Sequence, residues 1–114
     1  MARRFSHENS PAHGGPTIAI LLANYNDSRY LRDSLEGIFG QTDPADEVIL
    51  VDDASSDDSV PIIEGFLPRH ANARLIRNER NCGQHASIER ALAAARSEYV
   101  VWAAADDRLL PRFV

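Results

Sequence analysis

The sequence predicts an α/β fold built on a mostly parallel sheet, and three observations carry that prediction. Short apolar runs of strand length recur along the chain, stretches of helical periodicity lie between them, and each run ends in a polar loop. Alternation of strand and helix is the grammar of parallel strands joined by crossover helices. At 114 residues the chain holds one domain at most, enough to bury a core but small for an α/β enzyme.

The opening "MARRFSHENSPAHGGP", residues 1–16, mixes charge, Ser, Pro and Gly without periodicity and reads as a flexible tail. His7 and His13 within it have no partner at metal-ligand spacing and read as solvent-exposed spacers. The ordered part, residues 17–114, begins with "TIAILLA" at 17–23, followed by "EVILV" at 47–51 and "YVVWA" at 99–103. These nearly continuous apolar runs are the signature of strands covered on both faces. "ARLIR" at 73–77 alternates and fits a strand with a more exposed face.

Tyr30, Leu31, Leu35, Ile38 and Phe39 make one helical stripe, with Asp27 or Ser28 as its N-cap. Ile62, Ile63, Phe66 and Leu67 make a second, where "SSDDSVP" supplies capping side chains and Pro61 sits in the tolerant first turn. Ile88, Ala91, Leu92 and Ala95 make a third, in an alanine-rich segment of high helix propensity.

In open α/β sheets, ligands bind beyond the carboxyl ends of the strands. The loops there read "NYND", "DDASSDD", "NERNCG" and "ADDR", all polar, and two of them carry adjacent aspartates. Paired carboxylates repel unless a cation or a hydrogen-bond donor satisfies them. A hard ion such as Mg2+ takes oxygen ligands and commonly uses one or two carboxylates plus substrate phosphates, an arrangement that Asp106 and Asp107 fit. Helix or turn capping is the competing explanation for Asp107, and it also accounts for Asp57, Asp58 and Ser59.

Composition removes several classes. A formal charge of −5 leaves no broad basic face for phosphate-driven nucleic-acid binding. Every basic residue other than histidine is arginine, which excludes Schiff-base chemistry and a Walker-type phosphate loop. No glycine-rich turn follows the first strand, so a dinucleotide-binding domain is disfavoured. Cys82 stands alone and no secretory leader pattern opens the chain, which reads as a cytoplasmic location, extending to the inner face of the membrane. No apolar run approaches the roughly 20 residues of a membrane-spanning helix.

Three collinear stretches carry a family resemblance: "ILLANYND", "VILVDDASSDDSVPII" and "NERNCGQHASIERALAAARSEYVVWAAADDRLLP". They resemble, in order and spacing, the first strand and P-x-Y-N turn, the V-D-D-G-S-x-D-x-T segment, and the run ending in D-x-D-D before L-x-P of family 2 glycosyltransferases. The resemblance implies the Rossmann-like three-layer sandwich called GT-A, incomplete here at its C-terminus. It implies a nucleotide-sugar donor, typically a UDP-sugar, with Mg2+ or Mn2+ on its diphosphate. The acceptor would be a saccharide, a lipid-linked group or a protein, in the setting of cell-envelope polysaccharide synthesis.

Carried over residue by residue, Tyr25 matches the tyrosine packed on the nucleotide base, with Ala23 in the same turn. Asp53 matches the acceptor of a base hydrogen bond, and Asp52 its neighbour nearer the ribose. Gly83 matches the glycine of a loop passing close to the nucleotide, and His85 faces the same edge as a phosphate contact or a helix-start histidine. Asp106 matches the metal carboxylate and Asp107 its companion. The metal acts as a Lewis acid on the departing diphosphate.

The sequence also departs from the pattern. Ala104 stands where the first aspartate of D-x-D-D is usual, Ala54 replaces the glycine after the acidic pair, and Ala23 and Asn24 replace the usual proline and small polar residue. The resemblance places the acceptor-binding half and the catalytic base beyond Val114. The chain therefore reads as a donor-binding half, with an open sheet edge after its fourth strand and apolar surface beside it. Two alternatives stand beside this reading. One is a nucleotide-binding module without turnover. The other is a phospho-acceptor domain of the response-regulator receiver type, disfavoured because the acidic pair follows the second apolar run instead of the first.

Overall fold

The structure, a computed structural model, describes residues 2–4, 17–40 and 45–104. Five strands and three helices follow in the order β1 (Ala2–Arg4), β2 (Ile18–Asn24), α1 (Ser28–Phe39), β3 (Glu47–Asp52), α2 (Ser59–Phe66), β4 (Ala73–Arg77), α3 (Gln84–Ala94) and β5 (Tyr99–Ala104). They form one sheet with spatial order β1-β5-β2-β3-β4. The four strands β5, β2, β3 and β4 are parallel, as the alternating pattern predicts. A short 3-10 turn, Leu67–Arg69, extends the end of α2.

Two-sided burial explains the continuous apolar runs. Ile20, Leu22, Val48 and Leu50 face one layer, where Leu31, Leu35 and Ile38 of α1 and Ile63 and Phe66 of α2 meet them. Ala19, Leu21, Ile49, Val51 and Val100 face the other layer, against Ile88 and Ala91 of α3. Each fully buried Val, Leu or Ile contributes about 1.5–3 kcal/mol, more than any helix-propensity difference along the same segments. The three-layer sandwich is thus set by the strands, and the amphipathic helices follow their faces.

Within the N-terminal stretch, Ala2–Arg4 run antiparallel to β5, with Ala2 opposite Val101 and Arg4 opposite Tyr99, while residues 5–16 lie outside the described residues. The unpaired N–H and C=O groups on the outer side of β5 supply the reason, because an open edge pairs with any extended backbone in reach. The expected open edge beside the fourth parallel strand is therefore occupied over three residues. The other edge strand, β4, keeps exposed Arg74 and Arg77, charges of the kind that blunt edge-to-edge pairing. Apolar surface does remain, in a hollow between α3 and β5 lined by Leu21, Ile88, Leu92, Val100 and Trp102.

The strand order places a switch point. β2 is flanked in space by β3 on one side and by β5 on the other; the chain reaches β3 through α1 on one face and β5 from β4 through α3 on the opposite face, which opens a crevice at the carboxyl end of β2. Register aligns Ala23 with Ala104 of β5, and Asn24, Asp52 and Arg77 in one row across β2, β3 and β4.

Candidate functional site

The carboxyl edge gathers Tyr25 after β2, Asp52 and Asp53 at the end of β3, and the loop from Asn78 to Gly83 after β4. Tyr25 is about half exposed, so a large flat ring stands at the surface just past the end of β2. Ala23 lies one register step inside the edge, and its methyl packs with the α3-side core.

Asp52 and Asp53 are both buried, at 1% and 2% exposure, and their side chains go separate ways. Oδ1 of Asp52 accepts from Asn24 Nδ2 at 3.0 Å and from the Ser55 hydroxyl at 2.7 Å, while Oδ2 accepts from the Ser55 N–H at 2.9 Å. It holds the β2 and β3 loops together. Oδ1 of Asp53 accepts from Asn78 Nδ2 at 2.9 Å and from the Cys82 N–H at 2.7 Å, and Oδ2 accepts from the Gly83 N–H at 2.8 Å. Burial works to raise the pKa of Asp53, but the donors from Cys82, Asn78 and Gly83 outweigh it and hold the carboxyl below its ordinary value.

Gly83 meets the donor role with φ 94° and ψ 159°, a region open essentially to glycine alone. The turn before α3 thus aims two consecutive N–H groups at one carboxylate. Cys82 is exposed, and its thiol contacts the Arg80 carbonyl at 3.3 Å. His85 is exposed and pairs with Glu89 at 2.7 Å on the first turns of α3, at the rim of the apolar hollow. The polar cleft at the ends of β3 and β4 is lined instead by Ala54, Ser55, Arg77, Asn78 and Glu79. Ala54, where a glycine was the expected type, takes φ 62°, a left-handed conformation that costs a residue with a Cβ about 1–2 kcal/mol.

Asn78 and Asn26, to which the sequence assigns no role, and Asp57, which it assigns to capping, organise this edge. Buried Asn78 donates to Asp53 and to Ser87 Oγ at 3.0 Å, and its Oδ1 accepts from Arg90, so α3 is locked to the end of β3. Its place as the first residue after β4 on the binding edge was the available signal. Asn26 reaches the β3–α2 loop, with Oδ1 accepting from the Ser56 N–H at 2.8 Å. Asp57 joins two helix starts, Oδ2 accepting from the Ser28 N–H at 3.0 Å and Oδ1 from the Ser59 N–H at 2.9 Å. Asp27 does hold the N-cap position of α1 but makes no side-chain cap bond, so the capping group for Ser28 comes from Asp57, 29 residues further along in the loop after β3. Asp106 and Asp107 lie outside the described residues. Among the described residues, no three His, Cys, Asp or Glu side chains converge as a cation site, and no helix is long and apolar enough to cross a membrane.

An acidic, polar edge at a switch point, with an exposed aromatic and backbone-shaping carboxylates, suits a polar ligand with a flat ring. The family model for glycosyl transferase family 2 matches residues 19–114. The chain belongs to this family. It is 33% identical over 99 residues to MJ1057 of Methanocaldococcus jannaschii, an uncharacterized glycosyltransferase, over 85% of this chain and 34% of that protein. Among solved structures, S. aureus TarS 1-349 in complex with UDP is similar with a TM-score of 0.77 and 26% identity, over 84% of this chain and 29% of that one. The mannosyltransferase PcManGT from Pyrobaculum calidifontis, in complex with GDP-Man and Mn2+, gives 0.75 and 27%, over 82% and 28%. This glycosyltransferase family 2 chain thus spans about a third of the length of the curated relatives it matches. Its fold is the GT-A arrangement of its structural neighbours, and the receiver-type alternative gives way to the family assignment.

Proposed function

We propose that the chain binds the donor of a glycosyl transfer, a UDP-sugar, at the carboxyl edge of β2, β3 and β4, and that the protein transfers the sugar to an acceptor hydroxyl. The observation that carries this reading is the half-exposed Tyr25 just past β2, on the same carboxyl edge as a pair of buried, hydrogen-bonded aspartates at the end of β3. A base stacks on such a ring with sequence-tolerant affinity, and the polar cleft beside Ser55, Arg77 and Glu79 offers donors and acceptors to its edge. Each carboxylate oxygen has two acceptor positions, so Asp53 Oδ2, bonded by Gly83, keeps capacity for a base N–H. The TarS structure with UDP and the PcManGT structure with GDP-Man support a nucleotide-sugar as the ligand class.

Asp106 and Asp107 are the proposed holders of Mg2+ or Mn2+. Adjacent carboxylates are the hard oxygen donors these ions take, and both follow closely on Ala104, the last residue of β5 at the switch point. When bound, the ion neutralises charge on the departing nucleoside diphosphate. Ala23 contributes its backbone position in the Tyr25 turn, and Gly83 the close approach of its loop. His85, directed to Glu89, takes the helix-start role in preference to a phosphate contact. The domain is proposed to run from residue 17, and a cytoplasmic setting beside the inner membrane face belongs to the same reading, supported by the lone Cys82.

Competition binding tests the base assignment. Asp53→Ala is expected to weaken UDP more than ADP, since a hydrogen bond to a charged acceptor is worth about 1.5–3 kcal/mol, tenfold or more in affinity. Equal weakening of both nucleotides would make Asp53 a purely structural residue.

A further inference from the structure

Tyr25 lies in a loop, where a half-exposed ring is ordinarily free to reorient, yet the backbone on both sides of it is fixed. Before it, Asn24 is buried and bonded to Asp52, and the Asn24 carbonyl accepts from the Asp53 N–H at 2.9 Å. After it, Asn26 takes φ 53°, a left-handed conformation that Asn reaches more readily than most residues because its short polar side chain bonds locally. The Asn26 N–H donates to Ser55 Oγ at 2.9 Å, and its Oδ1 accepts from the N–H groups of Ser56 at 2.8 Å and Asp57 at 3.3 Å. Ser55 closes the chain of contacts by donating to buried Asp52 at 2.7 Å.

We infer that Asn26 is a positioning residue for Tyr25: its left-handed turn and its carboxamide clasp on residues 55–57 hold the ring in place for stacking on a nucleotide base. The inference rests on the nucleotide reading above. A loop backbone already fixed before binding has less conformational freedom to lose when a base meets the Tyr25 ring, so the clasp raises affinity without touching the ligand. The effect of Asn26 must therefore pass through the Tyr25 ring. A general structural role would not.

A double-mutant cycle on UDP affinity, measured with the full chain and with thermal unfolding of each variant as a folding check, separates the two. Asn26→Gly keeps access to positive φ and removes the carboxamide. It is expected to weaken UDP about fivefold to tenfold, and Tyr25→Ala about tenfold, within the range of base stacking on an aromatic. In the Tyr25→Ala background, Asn26→Gly should cost nothing further. An undiminished loss in that background, or wild-type affinity for Asn26→Gly alone, overturns the inference. Asn26→Asp keeps an Oδ acceptor and should stay within about twofold of wild type; a folded Asn26→Asp protein that loses tenfold overturns it even where the glycine variant fails to fold. Absence of UDP binding by the wild type, or full affinity in Tyr25→Ala, removes the nucleotide reading and the inference together, whereas the Asn26 outcomes bear on the inference alone.

Discussion

Gly83 donates its backbone N–H to Oδ2 of Asp53 across 2.8 Å, tying the residue before α3 to the end of β3. The bond exists because glycine alone tolerates the φ of 94° that aims the N–H inward. It makes Asp53 the organiser of a loop whatever ligand that loop meets.

Asp53 should accordingly stabilise the fold in a pH-dependent way. Its folded pKa lies below the ordinary value of 3.8, so the folded state releases this proton more readily than the unfolded chain. The stability it contributes is complete above 3.8 and is lost as pH falls through the folded value. Asp53→Asn removes charge-assisted bonds worth about 1.5–3 kcal/mol near neutral pH. Denaturant unfolding should show that deficit near neutrality, closing in acid. A deficit equally large at the lowest pH would refute the linkage.

Asp57 serves two helices from one side chain, through Ser28 of α1 and Ser59 of α2. Burial pushes its pKa up, but hydrogen bonds from Ser59 and Ser28 bring the balance below the ordinary carboxyl value. Asp57→Ala should destabilise by about 1–2 kcal/mol, the cost of a strong cap, and amide exchange should quicken at both helix starts. Quickening at α2 alone would mean that the Ser28 contact contributes nothing.

His70 stacks on Phe39 with ring centroids 3.9 Å apart. Burial, with Arg69 adding its charge, holds the imidazole below 6.5, so protonation opposes folding. This contribution is full above 6.5 and declines as pH falls toward the folded value. The wild-type Tm should drop between about pH 7.5 and 5.5 more steeply than that of His70→Phe, which keeps the stacked ring without a titrating nitrogen. Parallel slopes would exclude His70 as the source.

The elements that were legible in the sequence share a cause. Runs such as that at 48–51 are apolar throughout because both faces of β3 are buried there, and the stripe through Leu31, Leu35 and Ile38 follows from one face of α1 meeting the sheet. Period and composition report such burial directly. Contacts between loops leave no period. Asp57 reads as a cap for its own helix, and only the fold brings the Ser28 N–H to it. Asn78 reads as a loop residue until β4 sets it beside Asp53. The pairing of Ala2–Arg4 with β5 was hidden for the same reason, since three residues carry no pattern.

Calorimetric titration of the 114-residue chain with UDP, in Mn2+ and in chelator, tests the donor-site account most directly. UDP is expected to bind in Mn2+ and to lose about tenfold or more in affinity when the ion is chelated or when Asp106 is replaced by Ala, because a diphosphate on an acidic edge depends on the cation to offset repulsion. Equal affinity in Mn2+, in chelator and in the Asp106→Ala protein, or no binding of UDP at all, would contradict it.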